Sequence, residues 1–281
     1  MTLPAPDSTL RACVVVPARN EEDLIGSCLR ALATQDHVAY EEYEVLLILD
    51  RCTDGTESRA RQVATDHPRL RLHLLDGPGE GSGPARRVGM DAACARLLWV
   101  GRPEGLIACT DADTVVASDW LLAQLRALSR GARAIGGRIE LADDGSLPER
   151  VSRRHAEQGR LRHERLLSEP DPKGEAQHWQ FSGASLGLEA RVYREIGGLE
   201  PLNALEDEGL ESALLEHHVP IERLLSVRVT TSPRLVGRAS RGLSYDLSRM
   251  ALDLHEERAD DQSGPTRSVP SGSRAPRHPP R

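Results

Sequence analysis

Lysine is almost absent from this chain, and its scarcity argues against two classes of enzyme. Lys173 is the only lysine among the 36 Lys and Arg residues of the 281-residue sequence. A P-loop nucleoside triphosphatase needs a lysine directly after its glycine-rich loop, and no such lysine is present. A Schiff-base enzyme would depend on Lys173, whose polar surroundings rich in Pro and Gly disfavour that chemistry.

Aromatic residues and long apolar runs are also scarce. Only 3% of the residues are aromatic but 39% are hydrophobic, so Leu, Val, Ile and Ala must fill a sizeable core. No apolar run approaches the roughly 20 residues that cross a bilayer, and the N-terminus lacks a basic segment followed by an apolar one. We therefore expect a cytoplasmic protein without a transmembrane segment, while peripheral contact with a membrane stays open.

Paired cysteines and an excess of positive charge are missing as well. The five cysteines form no Cys-x-x-Cys motif, and their odd number and apolar neighbours indicate buried free thiols in a reducing compartment. A net charge of −7 argues against a general nucleic-acid binder. We interpret a predicted Arg-rich helix over 147–167 as a charged, solvated face, with docking on a partner or anionic lipid as the alternative.

Strand and helix patterns alternate over the first 130 residues. The predicted strands cover 12–16, 43–49, 70–75 and 105–110, and the predicted helices cover 21–34, 56–66, 84–98 and 120–128. The first strand is predicted to end at Pro17, and the acids Glu21, Glu22 and Asp23 to lie in the first helical turn. This alternation predicts a parallel, doubly wound sheet with right-handed crossovers.

The alternation stops after residue 134. The remaining predicted elements are the helix over 147–167, helices over 189–196 and 206–217, and a strand over 224–231. Residues 259–281 are rich in Pro, Ser, Gly and Arg, a composition typical of a disordered tail.

A pair of carboxylates after the fourth predicted strand is the most informative local feature. Asp111 and Asp113 directly follow the apolar run 106–109. In an α/β sheet, ligands bind beyond the carboxyl ends of the strands, and a hard divalent cation prefers oxygen ligands and often shares them with phosphates. The pair therefore indicates a metal–phosphate site, although a solvated turn gives the same pattern.

Four further segments carry side chains suited to the same ligand, at 16–22, 50–56, 81–89 and 205–210. A glycine-rich loop at a helix N-terminus offers backbone amides to a phosphate, and Arg86 adds a forked donor for the same anion. An acid aimed into a cleft can remove a proton from a hydroxyl. Each segment alone also has an ordinary explanation as a turn, a cap or a helix start, but their order would bring them to one rim of the sheet.

The ordered set resembles the family 2 glycosyltransferases, which have the GT-A fold. The resemblance covers residues 12–245 and rests on motifs at 16–22, 50–56, 85–89, 110–120, 181–187, 197–199 and 206–207. It implies an α/β protein with a Rossmann-like, mostly parallel central sheet flanked by helices and a C-terminal acceptor-side subregion. Residues 1–133 would form the half that binds the nucleotide sugar, 134–258 the acceptor and catalytic-base half of the same domain, and 259–281 the tail.

The resemblance also implies a role for each candidate site residue. The predicted nucleotide contacts come from Pro17, Ala18, Asn20, Glu21, Asp50, Arg86, Asp111, Arg234 and Arg238. Asp113 would hold Mn²⁺ or Mg²⁺ on the diphosphate, and Asp207 would be the catalytic base, with Glu206 beside it. The implied reaction transfers a sugar with inversion from a nucleoside-diphosphate sugar to an acceptor hydroxyl. A UDP-sugar is favoured, with GDP- and dTDP-sugars as alternatives.

Arg87, Ser185 and Gly209 depart from the residues common in the family. The membrane-bound synthases of the family carry transmembrane helices and a Gln-x-x-Arg-Trp motif. The sequence shows neither feature, which argues against processive polymer extrusion. Trp179 and Phe181 are candidates either for stacking on an acceptor sugar or for core packing. Three other functions stay open: a retaining GT-A transferase acting on a small phosphorylated acid, a nucleotidyltransferase that makes nucleotide sugars, and a non-catalytic nucleotide-sugar-binding protein.

Overall fold

The structure is a computed structural model that describes residues 3–168, 176–202, 205–237 and 241–262, the last seven by their backbone. Its strands are β1 (Ala12–Ala18), β2 (Tyr43–Leu49), β3 (Leu72–Asp76), β4 (Leu106–Cys109), β5 (Thr114–Val116), β6 (Ala134–Leu141), β7 (Leu186–Glu189) and β8 (Ile221–Thr231). Its α-helices are α1 (Ile25–Ala33), α2 (Thr56–Asp66), α3 (Ser82–Trp99), α4 (Trp120–Ser129), α5 (Glu149–Leu167), α6 (Ala190–Glu195), α7 (Glu206–Glu216) and α8 (Leu243–Gln262).

All eight strands join one sheet in the order β3-β2-β1-β4-β7-β6-β8-β5. Strands β1 to β4 are parallel to one another, β7 is antiparallel to both β4 and β6, and β8 is parallel to β6 but antiparallel to β5. The chain runs outward from β1 to β3 and then returns to β4 on the other side of β1. The carboxyl ends of β1 and β4 therefore flank the crevice at which open α/β sheets bind ligands.

Strand β1 is buried on both faces, which explains its continuous apolar sequence. Val14 and Val16 face a core completed by α1, α2 and α4, whereas Cys13 and Val15 face a second core completed by α3, α6 and α7. Aliphatic side chains dominate both cores, as the composition predicts. A smaller apolar cluster joins α5 to α8.

Strand β1 does not end at Pro17, as the sequence pattern predicts, but continues to Ala18. Hydrogen bonds show why the proline is tolerated. The carbonyl of Val15 accepts from Thr110 on the β4 side, and Pro17 points to that same side two residues later, where β4 has already ended. The missing N–H of Pro17 therefore removes no bond from the sheet.

The first helix is shorter than predicted, because α1 begins at Ile25 and the acids at 21–23 precede it. The amide of Glu21 instead donates to Thr56 Oγ1 at 2.7 Å, and the amide of Glu22 donates to Asp54 Oδ2 at 3.1 Å. These bonds hold the segment in a turn against the loop that leads from β2 into α2. Strands β5, β6 and β7 are further elements that the sequence pattern did not predict.

Helix α8 extends to Gln262 and so includes the first four residues of the predicted tail, while 263–281 lie outside the described residues. Lys173 and Arg238 also lie outside them. The five cysteines are free, as predicted, with Cys52 only half-buried and the other four buried. Burial raises the pKa of the Cys109 thiol to about 12. No helix in the described part of the chain is long and apolar enough to cross a membrane.

Candidate active site

The loops that follow β1 and β2 are tied together at the carboxyl edge of the sheet. Asn20 has a left-handed backbone (φ +54°), and its Oδ1 accepts from the amide of Thr53 at 2.8 Å. Pro17 and Ala18 form the end of β1, and the carbonyl of Ala18 accepts from the amide of Asp50 at 2.8 Å. Four of the predicted nucleotide contacts, Pro17, Ala18, Asn20 and Asp50, therefore lie on adjacent backbone segments.

Asp50 holds the glycine-rich loop against the end of β2. Its side chain is 2% exposed, and its two oxygens accept from the amides of Gly79 and Gly81. Arg19 lies 3.8 Å from the same carboxylate. A Cβ on Gly77 would come within 2.8 Å of Asp50 Oδ1, so the loop passes closely over this side chain. The predicted contact between Asp50 and a nucleotide base stays a prediction.

Asp113 lies beside Arg234 because β5, which directly follows Asp113, pairs with the end of β8. Arg234 donates to both carboxylate oxygens of Glu21, at 2.8 and 3.1 Å, and forms an ion pair with Asp113 Oδ2 at 2.5 Å. Burial and the neighbouring Asp111 raise the pKa of Asp113 to about 6, against the opposing effect of Arg234. The ends of β1, β4 and β8 thus place the acids Glu21 and Asp113 around the guanidinium of Arg234.

Arg86 is 3% exposed and connects three separate segments. Its Nη2 donates to Asp111 Oδ1 at 2.8 Å, its Nη1 to the carbonyl of Gly183 at 3.0 Å, and its Nε to Glu206 Oε1 at 3.2 Å. Burial disfavours its charge, yet Asp111 and Glu206 together raise the pKa of Arg86 above its ordinary value. The predicted contact of Arg86 with the nucleotide stays a prediction.

Asp207 lies in the first turn of α7, after Leu205 in a left-handed conformation (φ +60°). Its Oδ2 accepts from the amide of Gly183 at 3.3 Å, and its Oδ1 accepts from the amide of Glu208 at 3.1 Å. Gly183 therefore contacts both Arg86 and Asp207. Through these bonds Asp207 belongs to the same rim as the Asp-x-Asp pair.

The polar and aromatic side chains of residues 178–185 that have structural partners include Ser185, Trp179 and His178. Ser185 is fully buried and accepts from Trp120 Nε1 at 3.0 Å. Phe181 is buried in the core, whereas Trp179 is half-buried with the Arg162 guanidinium 4.7 Å from its ring centre. Burial lowers the pKa of His178 to about 4, and its Nδ1 accepts from the amide of Gln180.

Sequence reasoning missed the connecting role of Gly183 and the pairing of Glu21 with Arg234. Gly183 lies in the motif at 181–187, but no pattern in one sequence indicates that its carbonyl and amide bond to residues so distant along the chain. Across the described residues, no group of three or more His, Cys, Asp or Glu side chains forms a ready metal site.

The chain matches known proteins in sequence. Residues 13–186 match the family described as Glycosyl transferase family 2. Glycosyltransferase AglE of Haloferax volcanii is 30% identical over 128 residues, which are 45% of this chain and 38% of AglE. The uncharacterized glycosyltransferase YibD of Escherichia coli is 29% identical over 92 residues, which are 33% of this chain and 25% of YibD. The matches thus span well under half the length of these relatives.

The fold also matches solved structures. The mannosyltransferase PcManGT from Pyrobaculum calidifontis, in complex with GDP-Man and Mn²⁺, superposes with a TM-score of 0.60 at 21% identity, covering 93% of this chain and 67% of that one. TarS of S. aureus, in complex with UDP-GlcNAc, gives a TM-score of 0.57 at 18% identity, covering 87% and 66%. These neighbours support the GT-A fold. Because the family match covers more than half of the sequence, this chain belongs to glycosyl transferase family 2.

Proposed function

We propose that this protein transfers a sugar from a nucleoside-diphosphate sugar to an acceptor hydroxyl, using a divalent metal ion and inverting the anomeric carbon. The observation that carries the proposal is the continuous contact from Asp111 through Arg86 and Gly183 to Asp207. It links a carboxylate pair suited to a metal–diphosphate group with an acid suited to proton removal. Family membership and the nucleotide sugars bound by PcManGT and TarS support the same class of donor.

The residues present fit a metal–diphosphate group. Asp113 offers hard carboxylate oxygens on a side chain that is only 11% exposed. Burial and the negative charge of Asp111 raise its pKa, and a bound cation would favour the ionised carboxylate against both effects. Few protein ligands are needed, because Mg²⁺-type ions commonly combine one or two carboxylates with substrate phosphates. When bound, the ion would stabilise the negative charge of the departing diphosphate.

The arginine beside this site has a matching electrostatic role. Arg234 is 27% exposed and holds two carboxylates, so its guanidinium lies where a diphosphate would approach Asp113. A forked guanidinium binds phosphate oxygens well. We propose that Arg234, with Arg238 from the same segment, neutralises charge on the leaving group. A UDP-sugar is the favoured donor, with GDP- and dTDP-sugars as alternatives.

Asp207 is the proposed general base. An acceptor hydroxyl must lose its proton as it attacks, and a positioned carboxylate can accept that proton. In one displacement, the new bond from the acceptor oxygen to the anomeric carbon forms as the bond to the diphosphate oxygen breaks, which inverts the configuration. The oxygens of Asp207 accept bonds from backbone amides, whereas Glu206 is paired with Arg86. We therefore assign proton removal to Asp207.

Turnover of nucleotide sugars tests the proposal. Purified protein is incubated with Mn²⁺ and UDP-, GDP- or dTDP-sugars with candidate acceptors, and release of the nucleoside diphosphate is measured. Asp207→Asn should lower turnover by about 10²–10⁴-fold while calorimetry shows nucleotide binding intact. Glu208→Gln is the matched control, because this neighbouring acid is exposed. It should retain normal turnover.

Two outcomes would contradict the proposal. Normal turnover by Asp207→Asn would show that another group removes the proton. Nucleotide-sugar binding by the wild type without turnover would favour the non-catalytic binding protein. Proton NMR of the product distinguishes inversion from the retaining alternative by the anomeric configuration.

A further inference from the structure

We propose that Arg86 is a positioning residue, which fixes the proposed general base Asp207 relative to the donor side of the site through Gly183 and Glu206. The inference rests on the proposed function and assigns Arg86 a role other than binding the nucleotide. Three observations carry it: the directions of its bonds, the double contact of Gly183, and the packing that anchors its helix.

The three nitrogens of Arg86 donate to three segments that are distant in sequence. Asp111 follows β4, Gly183 precedes β7, and Glu206 begins α7. With 3% exposure, the side chain has little surface left for a substrate. A buried arginine each of whose nitrogens donates to a protein acceptor connects those segments, because losing any one partner would leave polar groups unsatisfied.

Gly183 transmits this connection to Asp207. Its carbonyl accepts from Arg86 Nη1 at 3.0 Å, and its amide donates to Asp207 Oδ2 at 3.3 Å. A Cβ at this position would lie 2.3 Å from Arg86 Nη2, so only glycine allows the guanidinium to approach this closely. Arg86 therefore reaches Asp207 through a single residue, and it also pairs with Glu206, the neighbour of Asp207.

The helix that carries Arg86 is itself anchored. Helix α3 follows the glycine loop that Asp50 holds against β2, and a Cβ on Gly83 would lie 1.9 Å from the carbonyl of Leu202. Leu202 thus packs directly on the start of α3. Arg86 projects from this junction between the donor and acceptor halves of the site, where a small displacement would change the geometry of the proposed base.

The buried carboxylate of Glu206 holds Arg86 in place. It is 6% exposed and is the counter-ion of Arg86, as is Asp111. A buried charge is tolerated when it is paired in this way. Glu206 therefore supports Arg86 and does not exchange the proton of the acceptor.

The conservative variant Arg86→Lys separates positioning from substrate binding. Lysine keeps the charge but presents one nitrogen in place of a planar fork, so it cannot reproduce bonds in three directions. We expect kcat to fall by about 10²-fold, the loss typical of a misplacement near 1 Å. The Kd of the nucleoside diphosphate with Mn²⁺, measured by calorimetry, should change by less than about threefold.

A double-mutant cycle with Asp207→Asn tests whether Arg86 acts through Asp207. If it does, Arg86→Lys should lower the residual turnover of Asp207→Asn by much less than it lowers wild-type turnover, because the positioned group is already gone. Glu206→Gln is a milder second variant, which keeps the shape and one acceptor. We expect it to lower kcat by less than about tenfold, well short of the loss expected for a general base.

Three results would overturn the proposal. Weaker nucleotide binding that accounts for the whole loss of kcat/KM would make Arg86 a donor-binding residue. Equal effects of Arg86→Lys in the wild-type and Asp207→Asn backgrounds would indicate a general structural role. A loss of about 10²–10⁴-fold in Glu206→Gln would make Glu206 the base.

An NMR measurement tests the contacts of Arg86 without using turnover. It therefore applies even if the proposed function fails. The amide resonance of Gly183, assigned by triple-resonance experiments on the wild type, should shift in both Arg86→Lys and Asp207→Asn. If the wild type turns over no donor, the proposed function fails, and this resonance still reports on the connection. A Gly183 amide that is unaffected by either substitution would refute the connection itself.

Discussion

Asp113→Asn should stabilise the unliganded protein at neutral pH, although it removes the proposed metal ligand. Burial and Asp111 raise the pKa of the Asp113 carboxyl from 3.8 to about 6. The folded protein therefore disfavours the ionised carboxylate even with Arg234 beside it. Asparagine has nearly the same shape and carries no charge, so it removes this cost. Functional sites commonly contain residues that lower the stability of the folded protein.

The magnitude and sign follow from the two pKa values. Below about pH 3, Asp113 is protonated in the folded and unfolded states and contributes nothing. As the pH rises from about 4 to about 6, the unfolded state has released its proton while the folded state still holds it, so the free energy of unfolding falls. A difference of about two between the pKa values corresponds to about 3 kcal/mol. Above pH 7, Asp113→Asn should therefore be more stable than the wild type by up to about 3 kcal/mol.

Urea denaturation from pH 4 to pH 7.5, with EDTA present, measures this difference. The stability gained by Asp113→Asn should grow between pH 4 and pH 6 and then level off. Asp119→Asn is the control, because Asp119 is 48% exposed and should show no such rise. A constant difference for Asp113→Asn across this range, or a loss of stability at pH 7, would refute the reasoning.

Three further predictions concern other contacts. Glu44→Ala leaves the buried Arg96 without its partner at 2.6 Å and should cost about 3–5 kcal/mol in urea denaturation; a cost below about 1 kcal/mol would contradict this. Ser185→Ala removes the buried acceptor of Trp120 Nε1 and should cost about 1–3 kcal/mol; unchanged stability would be the contrary result. Mn²⁺ with UDP at 100 times its Kd should stabilise the protein by about 2.7 kcal/mol, measured as a rise in Tm that EDTA abolishes; a rise unaffected by EDTA would contradict metal-dependent binding.

The front half of the fold was predictable because its elements have simple signals. The apolar run 43–49 and the helical pattern 56–66 coincide with β2 and α2. Strand β6 was missed because Gly136 and Gly137 interrupt its pattern. Packing requires both glycines, since a Cβ would lie 2.4 Å from the carbonyl of Gln180 at the first and 2.0 Å from Ser185 Oγ at the second. The sequence pattern does not indicate this strand, because the contacts that require its two glycines exist only in the folded protein.

The site was predictable in its residue types but not in their partners. Acids and amides at successive strand ends indicated one rim, where Arg86 and Gly183 connect Asp111 to Asp207 and where Asp113 pairs with Arg234. Arg86, however, bonds to residues 25, 97 and 120 positions away, and no local pattern encodes such pairings. One sequence can therefore suggest which groups do the chemistry, while the fold decides which groups hold them in place.

The anomalous scattering of manganese in a crystal grown with Mn²⁺ and UDP tests the central claim most directly. We predict one strong peak between Asp113 and the diphosphate, in the crevice at the ends of β1 and β4. Asp207 should face the end of the diphosphate to which the sugar would be attached. A manganese peak and a nucleotide bound away from Asp113, with Asp207 outside their cleft, would contradict the account.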